Sequence, residues 1–496
     1  MAQCSRRGFL RAAGLAGAAA FAGRARAVTP CRPNFLFILA DDLAPFSLGA
    51  YGNAVCRTPH LDRLAAEGMT VDGAHIMGSW SGAVCMPSRT MLMTGRGLWH
   101  IPGQGNPHAK DPARVPPDLA EQSLPAVFNR AGYDTFRTCK EGNSYPAANA
   151  LFKTRHERTC RDDAGDCGSA WHADRVLEHL DRRRTEGARD PFLIYLGFSF
   201  PHDPRNAHPE RLARYGAVND LAPDAPVNPA APPLPANYLP EHPFPHGHPK
   251  LRDEEQVQGV MKSRAEAVIR NETGREYACI EEMDAQIGRV LDRLGETGEL
   301  ESTYVVFTSD NGIAVGRHGL MGKQNLYEHS WRVPFLARGP GIAPGSRAAG
   351  SFYLMDLLPT FCDLASVAAP ATCEGVSFRP VLEGRRDTVR EVLYGAYCGG
   401  TKPGMRCVKR GDWKLITYDV LGGSVRRTQL FNLRENPLEL LEEHHAEAVA
   451  ALTGNRPAPH QRNLADDPAH AETRASLEAL LLAEQARLDD PHRPRA

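Results

Sequence analysis

The run Phe35-Leu36-Phe37-Ile38-Leu39-Ala40 passes straight into Asp41-Asp42. Six apolar residues without polar alternation describe a strand covered on both faces, the situation of a strand inside a parallel sheet. Such a strand needs neighbours of its own kind, and two further runs qualify: Phe192 to Phe198, and Tyr304-Val305-Val306-Phe307-Thr308. Between the runs the period changes. Tyr277, Ile280, Met283, Ile287, Val290, Leu291 and Leu294 recur at three- and four-residue spacing, the stripe of a helix laid on a sheet. Strands alternating with helices predict an α/β fold, a sandwich around a mostly parallel central sheet.

At 496 residues the chain exceeds one typical core. We expect a large domain over residues 32–380 and a small α+β subdomain over 381–496, the latter carrying short strands such as Trp413 to Tyr418 and a terminal helix near Thr473 to Leu488. The stretch from Pro201 to Pro249 is dense in proline and lacks sustained periodicity, which marks a functional insertion or a disordered loop. It leaves directly from His202, so it is expected beside a site. Its His242, His246 and His248 are expected to be solvated or to face a substrate.

The N-terminus stands apart from the fold. Ser5-Arg6-Arg7-Gly8-Phe9-Leu10 resembles a twin-arginine export signal, followed by an Ala- and Gly-rich stretch and the Ala25-Arg26-Ala27 cleavage pattern. Cleavage after Ala27 predicts a periplasmic or secreted protein. A formal net charge of -1 gives no electrostatic footprint for nucleic acid, and no later apolar run is long enough for stable membrane insertion. Twelve cysteines suit an oxidising compartment. Cys160/Cys167, Cys362/Cys373 and Cys398/Cys407 are close enough to close small loops, although spacing alone does not fix connectivity.

Asp41-Asp42 ends the first strand, and Asp310-Asn311-Gly312 follows the strand at Tyr304. Ligands of open α/β sheets sit beyond the carboxyl ends of strands. Four oxygen-bearing side chains there form a site for one hard cation, Ca²⁺ ahead of Mg²⁺ if the coordination is crowded. Either pair alone would read as turn formers or helix caps.

A third segment changes that balance. Cys85-Met86-Pro87-Ser88-Arg89, continuing through Thr94-Gly95-Arg96, resembles the signature of the type I sulfatases, members of the alkaline phosphatase superfamily. The resemblance implies that Cys85 is oxidised after translation, by a formylglycine-generating enzyme, to formylglycine. Its hydrate has two hydroxyls on one carbon: one attacks sulfur, and deprotonation of the other ejects sulfate. It also implies an alkaline-phosphatase-like sandwich and a Ca²⁺ held by Asp41, Asp42, Asp310, Asn311 and the modified Cys85. Arg89 would stabilise the hydrate and hold a carboxylate ligand in place.

The other motifs of that family follow in order. Phe198-Ser199-Phe200-Pro201-His202 resembles its strand-end Pro-His, and His318-Gly319-Leu320-Met321-Gly322-Lys323 the segment supplying a sulfate-binding lysine. Glu328-His329-Ser330-Trp331-Arg332-Val333-Pro334, Asp356-Leu357-Leu358-Pro359-Thr360 and Trp413-Lys414 extend the match. Lys323 and Lys140 are implied to bind sulfate oxygens, and His202 to protonate the departing alcohol, with His318 a second acid or base. One position departs: Thr138-Cys139-Lys140-Glu141-Gly142-Asn143-Ser144-Tyr145 stands where many members have Gly-Lys-Trp-His. That histidine is missing, so either Asn143 positions the hydrate or His318 takes the proton.

The function expected is hydrolysis of a sulfate ester on a sulfated carbohydrate or another small sulfate ester. A phosphonate or phosphate ester hydrolase of the same superfamily is the alternative, and an inactive binding protein the second.

Overall fold

The three apolar runs lie side by side. The computed structural model describes residues 32–142, 144–222, 224–245, 264–399 and 403–492. Strand Asn34–Ala40 takes the middle, with Thr303–Ser309 on one side and Phe192–Gly197 on the other, both parallel to it. All three are buried throughout. The sheet has eight strands in the order Ser346–Ala348, Met69–Val71, Phe335–Arg338, Thr303–Ser309, Asn34–Ala40, Phe192–Gly197, Asp134–Cys139, Thr154–Glu157. Phe335–Arg338 alone runs against its neighbours.

Two cores follow from the alternation of side chains along a strand. Leu36, Ile38 and Ala40 enter one, with the whole stripe Tyr277, Ile280, Met283, Ile287, Val290, Leu291 and Leu294 of the helix Glu266–Glu296. Phe35, Phe37 and Leu39 enter the other, with Met91 and Leu92 of the helix Cys85–Thr94 and Phe361 of Leu357–Leu364. Each such side chain contributes about 1.5–3 kcal/mol of transfer free energy, so both faces of the central strand oppose its exposure. Within the long helix, Gly288 permits a close approach: a Cβ there would lie 2.3 Å from the ring of His60.

Residues beyond 380 supply four antiparallel strands, Val392–Tyr397, Gly404–Arg410, Trp413–Val420 and Val425–Asn432. The fifth strand of this sheet, Gly78–Ser79, comes from just ahead of Cys85 and pairs parallel with Val392–Tyr397. The C-terminal sheet is thereby joined to the approach to Cys85. The terminal helix Ala471–Arg487 packs against its middle strands.

Two expectations need adjustment, and a third falls outside the described residues. The proline-rich stretch is irregular over its described residues apart from the helix Pro209–Arg214, but His242 is not solvated. It is buried, with Nδ1 bonded to the Phe244 carbonyl and the ring packed on Phe244 and Tyr327; His246 and His248 lie outside the described residues. Cys160 and Cys167 form a disulfide, whereas Cys362, Cys373 and Cys407 keep free thiols. Cys407 faces Gly395 across the ladder rather than Cys398. The export signal at residues 1–27 lies outside the described residues. Among the described residues no helix is long and apolar enough to cross a membrane.

Candidate active site

Six segments converge at the carboxyl edge of the sheet. Ala40 and Ser309 are paired across neighbouring parallel strands, so Asp41-Asp42 and Asp310-Asn311 emerge together. Asp42 has a φ of 67°, in the left-handed region that Asp tolerates better than most residues. The turn breaks the alternation that would send Asp41 and Asp42 to opposite faces. On the other side, Asp41 N–H donates to the Phe200 carbonyl at 3.1 Å, which docks the His202 segment. Lys140 follows the next strand, Asp134–Cys139.

Cys85 opens a ten-residue helix. Pro87 in its first turn sacrifices no helical hydrogen bond, since the first N–H groups have no partner within the helix. Gly95 ends it at a φ of 66°, where a Cβ would lie 2.5 Å from Cys373 Sγ. Four residues make one turn, so Cys85 and Arg89 share a face. Cys85 Sγ lies 3.5 Å from Asp41 Oδ1 and 3.6 Å from Asp42 Oδ1. Arg89, fully buried, donates from Nε to Asp310 Oδ2 at 2.8 Å and pairs through Nη2 with Asp41 Oδ2 at 3.2 Å.

Two lysines close the ring. Lys323 Nζ donates to both Asp42 oxygens at 2.6 Å and reaches Cys85 Sγ at 3.1 Å. Lys140 Nζ donates to Asp41 Oδ2 at 2.9 Å. His202 Nε2 lies 3.7 Å from Asp42 Oδ2, and its Nδ1 is 2.7 Å from Asp203 Oδ1. Burial alone would raise Asp41, but Lys140, Arg89, His202 and Lys323 outweigh it and hold this carboxylate well below its usual range. Asp42 is lowered in the same way, against burial, by Lys323 and His202. For Asp310 burial wins over Arg89, with help from Asp41 and Asp42, and pushes it up to about 6. Burial and the Asp310 charge drive the Cys85 thiol well up, so it is no thiolate. His202 is raised: burial and Lys323 lower it, but Asp42, Asp41 and Asp203 prevail.

The donor set suits a hard divalent cation. Ligand atoms of Asp41, Asp42, Cys85 and His202 lie within 4.8 Å of one another, and Asp310 and Asn311 adjoin them. Asn311 Nδ2 donates to Asp42 Oδ1 at 2.7 Å, while its Oδ1 is buried without a hydrogen-bond partner. An orphaned amide oxygen among three carboxylates is what such a cation would satisfy.

His318 does not join this group. Its backbone N–H donates to the Asn237 carbonyl, its Nε2–H donates to the Glu439 carbonyl at 2.9 Å, and its ring stacks on Tyr327 with centroids 4.0 Å apart. Burial, with His444 and His329 nearby, holds it neutral far below the usual imidazole range. Its ring is taken up by Tyr327, the Glu439 carbonyl and His444, away from the groups around Cys85. Asn143 lies outside the described residues. Two residues not singled out from the sequence touch the site instead. Asp203 anchors His202, and Cys139 Sγ accepts from Arg89 Nη1 at 3.2 Å. The only signal of either was adjacency, to His202 and to Lys140.

Family models and known proteins match this chain over most of its length. The family model described as Sulfatase matches residues 33–367, and that of N-sulphoglucosamine sulphohydrolase, C-terminal, matches 316–456. The chain is 26% identical over 456 residues to an arylsulfatase of Clostridium perfringens, covering 82% of this chain and 89% of that one. It is 23% identical over 490 residues to the N-acetylglucosamine-6-O-sulfatase of Bacteroides thetaiotaomicron, covering 82% of each. A solved structure in complex with its substrate D-glucosamine-2-N,6-O-disulfate aligns with a TM-score of 0.68 at 21% identity, covering 94% of this chain and 100% of that one. The phosphonate monoester hydrolase of Silicibacter pomeroyi aligns at 0.66 and 19% identity, covering 92% and 96%. At those identities the two structures speak for the fold alone.

Proposed function

The chain belongs to the sulfatase family of the alkaline phosphatase superfamily, and from that membership we propose that it hydrolyses the sulfate ester of a sulfated carbohydrate, using formylglycine made from Cys85 and one bound Ca²⁺. The observation that carries the reading is the setting of Cys85. It sits one helical turn from Arg89, between the carboxylates of Asp41 and Asp42, with the Lys323 ammonium 3.1 Å away.

Each side chain has work that its position allows. Asp41, Asp42, Asp310 and Asn311 would hold the cation together with the side chain at 85. Formylglycine at residue 85 would supply the nucleophile for sulfur, and a bound cation would supply charge neutralisation for it and for the sulfate oxygens. Lys323 and Lys140 offer point charges to the sulfate, in a buried setting where such donors count for most. His202, whose protonated form Asp42, Asp41 and Asp203 favour, would give its proton to the bridging ester oxygen as that oxygen leaves as the alcohol. Arg89 orients Asp41 and Asp310. In the absence of the ion, Lys323, Lys140 and Arg89 balance the three carboxylates, so the site is pre-formed.

A carbohydrate substrate is supported by relatives rather than by a sugar-reading residue. One is named N-acetylglucosamine-6-O-sulfatase, and one structural neighbour was solved with a disulfated glucosamine. The twin-arginine pattern supports action in the periplasm or outside the cell, where sulfated polysaccharide is met. Oxidation of Cys85 by a formylglycine-generating enzyme before export of the folded protein fits the same pattern.

The test begins with peptide mass analysis around Cys85 in protein from its native host. Conversion removes roughly 18 Da, which hydration restores, so aldehyde labelling accompanies the measurement. A labelled residue 85 with turnover of sulfated monosaccharides supports the reading. An unmodified thiol would put the inactive binding protein first, and a large preference for phosphonate over sulfate esters would transfer the chain to the phosphonate hydrolases.

A further inference from the structure

A cavity of about 890 Å³ opens where the edge of the central sheet meets the C-terminal sheet, and its lining shares no residue with the Cys85 site. One wall is Asp72, after strand Met69–Val71, with Arg347 of the edge strand. The other is the end of strand Gly404–Arg410, bearing Lys409 and Arg410, with the turn Gly411-Asp412 that follows it.

Six cations line the cavity against four carboxylates, and their pairing is uneven. Arg347 is matched by Asp72 at 2.7 and 2.5 Å, Arg390 by Asp356 at 2.7 and 2.5 Å, and Arg434 by Asp412 at 2.7 Å. The other three are not matched. Arg410 Nη2 donates to the Ser476 hydroxyl at 3.1 Å. Lys409 Nζ comes no closer to a carboxylate than 3.7 Å, and Arg332 Nε no closer than 3.5 Å, both to the same Glu328 Oε2. Glu328 is already engaged, with Lys414 Nζ at 2.9 Å from Oε1 and His75 Nε2 at 3.3 Å from Oε2. Lys414 is shared with Glu439 Oε1 at 2.8 Å, and burial holds His75 neutral with its pKa lowered to about 4, so Glu328 and Glu439 together face three cations, Lys414, Lys409 and Arg332. The shortage shows in Lys409, which burial lowers and Glu328 does not fully restore, with Arg332 and Lys414 adding to the fall.

We propose that this cavity is a second, non-catalytic site that takes a sulfate or carboxylate group of an anionic saccharide, with Lys409, Arg410 and Arg332 as its donors. The volume falls in the range of small-molecule sites, roughly 300–1,000 Å³, which leaves room for sugar rings beyond the anionic group. Guanidinium forks match planar and tetrahedral oxyanions, and a lysine adds a compact charge. An incoming anion would supply the counter-charge that Glu328 and Glu439 divide among three cations. The choice of a saccharide over inorganic sulfate rests on the carbohydrate reading above. The two sources share one chemistry and are separated by the test.

Equilibrium binding to the full-length Cys85→Ala protein is measured with a heparin-derived tetrasaccharide and, separately, with sodium sulfate. The proposal expects a saccharide site that weakens at least about tenfold when Lys409→Gln and Arg410→Gln are added, the loss of roughly one charge-assisted hydrogen bond. Lys409→Arg should keep it. In the converted enzyme the same two changes should leave turnover of 4-nitrophenyl sulfate unaltered. Equal saccharide affinity with and without the two changes overturns the proposal. Lys409-dependent binding of sulfate but not of the tetrasaccharide overturns the saccharide assignment. Failure of the hydrolase reading looks different: no sulfate ester is turned over while Lys409-dependent binding persists. Should the double variant melt early, the exposed Arg410→Gln alone, with its own expected weakening, decides the matter.

Discussion

Lys323 Nζ sits 2.6 Å from each carboxylate oxygen of Asp42, a residue 281 positions earlier in the chain. Both side chains are buried, so neither charge has water as an alternative partner. Lys323 is driven well above the ordinary lysine range, since Asp42 and Asp41 outweigh the burial that would lower it. The ammonium is therefore a fixed positive charge at the place where a sulfate oxygen is to be received.

Lys323→Ala should lower kcat on 4-nitrophenyl sulfate by about 10²–10³, the usual cost of removing one donor from an oxyanion-binding site. It should also destabilise the protein by about 3–5 kcal/mol, because Asp42 is left buried without its partner. Urea denaturation and steady-state kinetics check both. Retention of kcat within about threefold, a difference under 1 kcal/mol in barrier, would remove Lys323 from the chemistry.

Cys85→Ala should abolish turnover and leave the fold intact. The thiol is small, and Lys323, Arg89 and Lys140 keep their carboxylates without it. Circular dichroism and melting should match the parent protein while hydrolysis falls to background. Persistent hydrolysis would show that residue 85 is not the nucleophile.

Removal of the ion by EGTA should stop activity without unfolding the protein, since three cationic side chains balance Asp41, Asp42 and Asp310 on their own. Added Ca²⁺ should restore turnover and raise the melting temperature, and Mg²⁺ should do so less well because the oxygen-rich site is crowded. At a hundred times Kd the gain is about 2.7 kcal/mol. Full activity after exhaustive chelation would refute the ion's role.

The parts legible in the sequence are those fixed by local geometry. An unbroken apolar run ending in Asp41-Asp42 declares a buried strand and its carboxyl end. A spacing of four places Arg89 on the face of Cys85 once a helix starts there. The direction of a side chain set by distant packing is not legible in that way. His318 lies only five residues from Lys323, yet its ring is captured by Tyr327 and the Glu439 carbonyl. His242 sits in a stretch that reads as exposed loop, but Phe244 and Tyr327 enclose it. The basic cavity draws Asp72, Arg347, Lys409 and Arg434 from segments far apart in the chain, and no window of sequence contains it.

His444 offers the clearest test of pH dependence. Nε2–H donates to the Asn237 carbonyl at 3.1 Å, and Nδ1 accepts the Leu441 N–H at 2.9 Å. Burial, the largest cause, disfavours the charged ring and, with His445 nearby, holds it at about 4; protonation of Nδ1 would in addition set two donors against each other. The unfolded chain protonates this ring near its ordinary value of 6.5. Its contribution to stability is therefore intact above pH 6.5 and is lost progressively as pH falls towards 4, because the unfolded state binds the proton first. The full difference is of the order of 3 kcal/mol at about 1.4 kcal/mol per pH unit. His444→Gln, which cannot titrate, should destabilise the protein at pH 7.5, and its deficit relative to the parent should shrink by roughly that amount by pH 4.5. Urea unfolding of the two proteins across this range supplies the difference directly. A deficit that stays constant with pH would show that the ring is not held neutral by the Leu441 N–H and its surroundings.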